Sequence, residues 1–301
     1  MTPICLVGIG KIAIDQHVPA INASPDWALA ATVSRSGAVD GVQAFDDFDQ
    51  MLAETDIPVV SLCLPPVPRY AYVAKAIAAG RHVMLEKPPG ATLAEVHTLA
   101  NMAQAAGVTL FTTWHSRMAA GVAPAKAWLT DKRITRAHIS WKEDVRRWHP
   151  GQDWVFAPGG MGVFDAGSNA LSIITEILPM PIHLQSAELL FPSNCDTPIA
   201  AQMQWTRNVT GDLDWRQEGP QSWDIIVETS AGTLALHDGG ARLIIDGEET
   251  SVAANREYPA LYDRMAQLMV DRTSDVDVSP MIHVADALTL GKRVTGDAFH
   301  F

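Results

Sequence analysis

The chain has 301 residues, 48% of them hydrophobic, with 22 basic against 34 acidic side chains and a formal net charge of −12. That length supplies two domains with separate cores. The acidic balance, with no basic run, argues against nucleic acid or an anionic membrane as partner. No apolar stretch approaches the ~20 residues of a membrane span, and no charged leader precedes the first strand-like run, so a cytoplasmic protein is expected. Cys5, Cys63 and Cys195 lack metal-ligand spacing and cannot pair completely. Cys5 and Cys63 fall in apolar runs and read as core filler, and no metal is expected.

Ile4-Cys5-Leu6-Val7 reads as a strand that enters Gly8-Ile9-Gly10-Lys11-Ile12-Ala13 and then a helical pattern carried by Ile14, Val18 and Ile21. This G-x-G-x-x-A sequence suits a dinucleotide. The first glycine makes the tight turn, the second lets the backbone approach a pyrophosphate, and Ala13 lets the helix pack on the sheet. Gly8, Gly10, Lys11 and Ile12 are therefore candidate cofactor contacts. The next strand, Trp27 to Val33, ends at Ser34-Arg35-Ser36. A hydroxyl and a guanidinium stand where an NAD-specific site usually places an acid, and both suit a 2′-phosphate. NADP is the expected preference, with NAD also possible.

Asp46 to Glu54 reads as a helix and Val59 to Leu64 as a buried strand ending in Pro65-Pro66. Leu64, Pro65 and Pro66 join the cofactor candidates. A helix from about Tyr70 to Ala79 is closed by Gly80. The strand His82 to Leu85 then runs into Glu86-Lys87-Pro88-Pro89-Gly90, and Thr92 and Glu95 form a capping box for a helix to about Ala106. Val108 to Thr113 is a further strand, running into Trp114-His115-Ser116-Arg117. Strands alternating with helices predict a parallel, doubly wound sheet, an α/β Rossmann domain over residues 1–117. Ligands of such sheets lie at the carboxyl ends of the strands, which is where Glu86 and Lys87 stand.

Residues 118–301 change character. After a helical segment from Pro124 to Asp131, strand-like runs appear at Arg136–Val145, His183–Leu190, Ala200–Thr206, Val209–Trp215, Trp223–Thr229, Gly232–His237 and Ala241–Ile245. Turns such as Asp238-Gly239-Gly240 join them as in antiparallel meanders. An α+β domain with a large, mainly antiparallel open sheet is expected, its free face suited to a homodimer partner. A dense polar patch interrupts it: Glu143-Asp144, Trp148-His149-Pro150, and the run Gly159 to Asn169, which leads into an apolar helix. Asp165 and Asn169 are four apart and share a helix face. Near the carboxyl end, Tyr258 to Arg272 has helical spacing of core residues, and Ser279-Pro280 opens a last helix.

Together these residues resemble the glucose–fructose oxidoreductase / inositol dehydrogenase (Gfo/Idh/MocA) family over nearly the whole chain. The resemblance rests on the amino-terminal G-x-G-x-x-A, the strand ending in Glu86-Lys87-Pro88, and Asp165-Ala166-Gly167. It implies a two-domain NAD(P)-dependent dehydrogenase of sugars or polyols, with Lys87 beside the nicotinamide and Asp165 on the substrate. Many members carry histidine four residues after that aspartate, where this chain has Asn169. An amide does not titrate, so Asn169 orients the substrate and the base is Lys87 or Asp165. We favour Asp165 as base, with Lys87 holding the hydroxyl oxygen. The D-x-G-x-N sequence, the doubled Pro88-Pro89 and Trp148-His149 are most similar to the L-arabinose and D-galactose 1-dehydrogenase branch. That likeness implies hydride transfer from C1 of a cyclic aldose to the nicotinamide, giving a lactone. Candidate sugar contacts are His115, Glu143, Trp148, His149, Asp165 and Asn169. The competing readings are an inositol or polyol dehydrogenase and a sugar-sensing regulator without turnover.

Overall fold

The computed structural model describes residues 1–250 and 252–300. The first part of the chain forms β1 (Thr2–Val7), α1 (Val18–Ala23), β2 (Trp27–Val33), β3 (Gln43–Phe45), α2 (Phe48–Glu54), β4 (Val59–Leu62), α3 (Pro66–Ala78), β5 (His82–Leu85), α4 (Leu93–Ala106) and β6 (Leu110–Thr112). All six strands lie in one parallel sheet of order β3-β2-β1-β4-β5-β6. β4 is buried at every position and β5 at three of its four, as expected of central strands covered by helices on both faces. The order reverses between β1 and β4, and this switch point opens a crevice at the carboxyl ends of the strands.

The rest of the chain forms α5 (Val122–Leu129), β7 (Ile134–Lys142), α6 (Val145–Trp148), α7 (Phe164–Ile177), β8 (Leu184–Pro192), β9 (Ala200–Trp205), β10 (Val209–Asp214), β11 (Ser222–Thr229), β12 (Gly232–His237), β13 (Arg242–Ile245), β14 (Glu248–Thr250), α8 (Glu257–Asp271), α9 (Ser279–Leu290) and β15 (Lys292–Gly296). The second sheet has the order β14-β13-β12-β11-β7-β10-β9-β8-β15. Its pairings are antiparallel except β7 with β10 and β8 with β15, so the expected architecture holds. Along β7, Ala137, Ile139 and Trp141 point into the core, while His138, Ser140 and Lys142 face the other way. The outward side chains join across strands, His138 with Thr210 at 2.8 Å and Lys142 with Asp212. Gly167 lets α7 lie close to β10, because a Cβ there would stand 2.6 Å from Leu213.

Two compact units result, Met1–His115 with Tyr258–Val278, and Ser116–Glu257 with Ser279–Phe301. A single cut after residue 117 therefore misplaces one stretch. Residues 258–278 return to the first unit, because Asp275 pairs with Phe111 beside β6 and Tyr262 packs among first-unit residues. Several boundaries also differ from expectation. α3 starts at Pro66, since prolines are tolerated in a first helical turn. β7 stops at Lys142 because the Asp144 side chain caps α6 at the Arg146 N–H. The helix after the glycines opens with a π turn at Ala13–His17, and the wider turn rotates its faces. Ile14 is 45% exposed, and Ala13, His17, Ala20 and Ile21 make the buried side. Cys63 lies half-buried just beyond β4, while burial pushes the Cys5 thiol up to about 12. Among the described residues no helix is long and apolar enough to cross a membrane.

Candidate functional site

In the first unit the glycine turn sits at the switch point. Gly8 has φ +88°, and a Cβ on it would lie 2.9 Å from the Leu64 side chain and 3.1 Å from the Leu64 amide nitrogen. Only glycine meets both demands. A Cβ on Gly10 would project into open space, so a bulky group can lie against that backbone. These features fit a dinucleotide pyrophosphate. Lys11 is exposed and pairs with Asp15 one turn on, and Ile12 is 39% exposed beside it. Past β2, a cavity of about 640 Å³ is lined by Ser34, Arg35, Ser36, Phe45, Asp46 and Gln50, among others. The Ser34 hydroxyl accepts the Gly37 N–H at 3.0 Å, which leaves its own O–H to donate, and Arg35 is exposed. Asp46 brings a carboxylate to the same cavity.

The turn that carries Lys87 is held from two directions. The Lys87–Pro88 peptide is cis. Arg69, 2% exposed on α3, donates through its guanidinium to the backbone carbonyls of Leu64, Glu86 and Pro88. One buried cation thereby ties the Leu64-Pro65-Pro66 turn to the Glu86-Lys87-Pro88 turn. On the other side, Glu86 Oε2 accepts the Lys87 backbone N–H at 2.8 Å, and Oε1 accepts the Tyr258 hydroxyl at 2.8 Å. His17 Nε2 stands 3.1 Å from the same Oε1, and its Nδ1 is 2.8 Å from the Tyr262 hydroxyl. Burial would raise the Glu86 pKa, but the bond and charge of His17, with His115 and Lys87 nearby, hold it down at about 2. Burial likewise pushes His17 down, yet Cys63, Tyr262 and Glu86 around it bring it well above its ordinary value. His115 stacks on Tyr258, ring centroids 5.4 Å apart at 20°.

In the second unit four of the six sugar candidates, Asp165, His149, Glu143 and Trp148, are linked by a chain of contacts that runs through Trp215 and Trp223. Asp165, in the first turn of α7, is 5% exposed, and its Oδ2 lies 3.3 Å from His149 Nε2. His149 Nδ1 is 3.2 Å from Gln152 Oε1, and its ring packs against Trp215 with centroids 5.1 Å apart. Glu143 accepts the Trp215 indole N–H on one oxygen at 3.1 Å and the Trp223 indole N–H on the other at 2.8 Å. Trp148, 37% exposed, meets Trp223 edge-on at 5.8 Å and donates to Gln221. Asn169 is half-buried one turn beyond Asp165. The glycines before α7 serve packing: a Cβ on Gly160 would lie 2.3 Å from the Trp154 carbonyl oxygen, and one on Gly162 2.2 Å from that of Pro198. Among the described residues no three His, Cys, Asp or Glu side chains converge as a metal site would require.

Sequence reasoning missed His17, Arg69, Tyr258, Trp215 and Trp223. Tyr258 was legible as a helix residue, but none of the five lies in a recognisable motif. Each has a partner at least 17 residues away along the chain, and His17 has one 245 away.

Residues 3–114 match the family model described as an oxidoreductase family with an NAD-binding Rossmann fold. The chain is 44% identical to a galactose 1-dehydrogenase of Pseudomonas fluorescens over 98% of its length and 97% of that protein's. It superposes on the crystal structure of a D-galactose-1-dehydrogenase protein from Rhizobium etli with a TM-score of 0.95 at 51% identity, covering 99% of this chain and 97% of that one. A 3-ketoreductase from Actinomadura kijaniata, solved with NADP and TDP-benzene, shares the fold at 16% identity, with a TM-score of 0.83 over 98% of this chain and 99% of that one. Glycine turn, Lys87 turn and full-length likeness agree: this chain belongs to the Gfo/Idh/MocA family of oxidoreductases, with an NAD-binding Rossmann domain at its amino end.

Proposed function

We propose that the protein is an NAD(P)-dependent aldose 1-dehydrogenase that oxidises the C1 hydroxyl of D-galactose, L-arabinose or a similar cyclic sugar to the lactone. The observation that carries this reading is the buried Asp165 carboxylate against His149, whose ring packs on Trp215 and through it reaches Glu143, in a chain whose full length resembles galactose 1-dehydrogenases. The bound nicotinamide supplies the acceptor for the hydride that leaves C1. Asp165 takes the proton from the C1 hydroxyl as the C1–O bond becomes a carbonyl. The imidazole at its Oδ2 gives that carboxylate a fixed orientation and a second proton-carrying group. Lys87 holds the hydroxyl oxygen and stabilises the negative charge developing there. Asn169 orients the sugar, and Glu143 and His149 accept or donate hydrogen bonds to ring hydroxyls. Trp148 offers an apolar face, and His115 a further polar contact.

Ser34 and Arg35 favour NADP over NAD, and Lys11, Ile12, Leu64, Pro65, Pro66 and Glu86 complete the cofactor contacts. The outward, polar face of the nine-stranded sheet is the contact of a homodimer; a mass of one chain at micromolar concentration would count against it.

The test is reduction of NADP and NAD with a panel of aldoses and inositols, on wild type and Asp165→Asn in parallel. Turnover with D-galactose or L-arabinose, releasing acid as the lactone hydrolyses, is expected. The isosteric variant should lose about 10²- to 10⁴-fold in kcat. Ketone product from an inositol, or a variant as fast as wild type, would overturn the assignment.

A further inference from the structure

We propose that His17 is a positioning residue for Lys87, acting through the Glu86 carboxylate. The inference rests on the reading of Lys87 as the charged donor to the sugar hydroxyl. His17 stands on the helix that follows the glycine turn and is completely buried. Its Nε2 meets Glu86 Oε1 at 3.1 Å, and the other Glu86 oxygen accepts the Lys87 backbone N–H at 2.8 Å. An imidazole seven residues past Gly10 is thus two contacts away from the backbone of the candidate charged donor.

The groups facing this pair come from several parts of the first unit. Cys63 lies just past β4, Tyr258 and Tyr262 come from α8, and Lys87 and His115 are the other cationic or titratable groups near Glu86. Because a carboxylate oxygen only accepts, the Nε2 contact with Glu86 places the proton on Nε2. The carboxylate then receives three donors: Nε2–H, the Tyr258 O–H and the Lys87 N–H. This leaves Glu86 little freedom to rotate, and it fixes the direction in which the chain leaves β5. Arg69 fixes the carbonyls of the same turn from the opposite side. Desolvating an imidazole and a carboxylate together is costly, and an apolar pair of the same volume would often be at least as stable. What the ionic pair provides here, and an apolar pair would not, is a directed acceptor for the Lys87 N–H.

The experiment compares His17→Phe, which removes the donor at similar volume, with His17→Gln, which keeps an N–H of similar reach. Lys87→Ala and the double variant His17→Phe/Lys87→Ala are measured beside them. His17→Phe is expected to lower kcat about 10- to 100-fold, while the nucleotide KM moves less than about threefold. His17→Gln should recover most of the loss. In the Lys87→Ala background His17→Phe should change kcat less than about threefold, because its effect runs through Lys87. An unchanged kcat in His17→Phe, or equal losses with and without Lys87, overturns the proposal and leaves a purely structural role. If Lys87→Ala itself keeps full activity, the underlying reading of Lys87 fails instead, and the two failures are told apart. Should His17→Phe not fold, His17→Gln and Glu86→Gln carry the test: wild-type kcat in both sinks the idea, and a loss in Glu86→Gln larger than in His17→Gln supports it.

Discussion

Replacing Arg69 by methionine removes a buried cation while keeping most of its apolar stem. The guanidinium is the donor to three carbonyls, those of Leu64, Glu86 and Pro88. A buried acceptor left without its donor costs about 1–3 kcal/mol. Relief from burying the guanidinium offsets part of this, so a net loss of about 3 kcal/mol is expected. For a domain of about 150 residues each kcal/mol lowers the midpoint by ~2–4 °C, which places the expected drop near 10 °C. Thermal melts followed by circular dichroism, with and without NADP, read the effect. Because the same side chain joins the Leu64-Pro65-Pro66 turn to the Lys87 turn, the nucleotide KM should rise severalfold in parallel. A midpoint within about 2 °C of wild type would show that the carbonyls find other donors and that Arg69 does not hold the two turns together.

Three further outcomes follow from the geometry. Arg35→Ala should lower the NADP/NAD ratio of kcat/KM about 10- to 100-fold, the value of a charge-assisted phosphate contact; an unchanged ratio would remove Arg35 from the 2′-phosphate site. Gly162→Ala forces a side chain to φ +54° with a Cβ 2.2 Å from the Pro198 carbonyl oxygen, so a loss of about 2–4 kcal/mol in urea unfolding is expected. Acid sensitivity provides the last. The Glu86 pKa is lowered from 4.5 to about 2 on folding, so its contribution, on the order of 3 kcal/mol, is complete above pH 4.5 and lost as pH falls toward 2. The His17 pKa is raised, so its contribution is complete below pH 6.5 and fades as pH climbs through the higher folded value. The stability gap between wild type and Glu86→Gln should therefore be widest near pH 5 to 6 and close on the acid side; a gap flat down to pH 2 would contradict the buried pair.

The parts read from sequence are those governed by local rules. G-x-G-x-x-A works through backbone freedom within a few residues, and Gly8, read as the glycine of the tight turn, has φ +88°. Trp27–Val33, His82–Leu85 and Gly232–His237 carry strand signals strong enough to fix both ends. Thr92 and Gly107 bound α4 because caps act on their own helix. Local rules failed where geometry beyond the next turn decides. The π turn at Ala13–His17 turned Ile14 outward and His17 inward, which no apolar count reveals. The short strands β3, β14 and β15 exist only because a neighbour offers an edge, and their own residues do not mark them.

The sequence by itself determined the α/β and α+β halves, the dinucleotide turn, and the placing of Lys87 and Asp165 at element ends, because periodicity, glycine conformation and capping are short-range effects. Only the tertiary structure decided that residues 258–278 return to the first unit, that Arg69 and His17 grip the Lys87 turn, and that Glu143 is held by Trp215 and Trp223. Those contacts join residues far apart in the chain. A buried polar group takes whichever partner the packed fold brings within reach, and that choice is made in three dimensions.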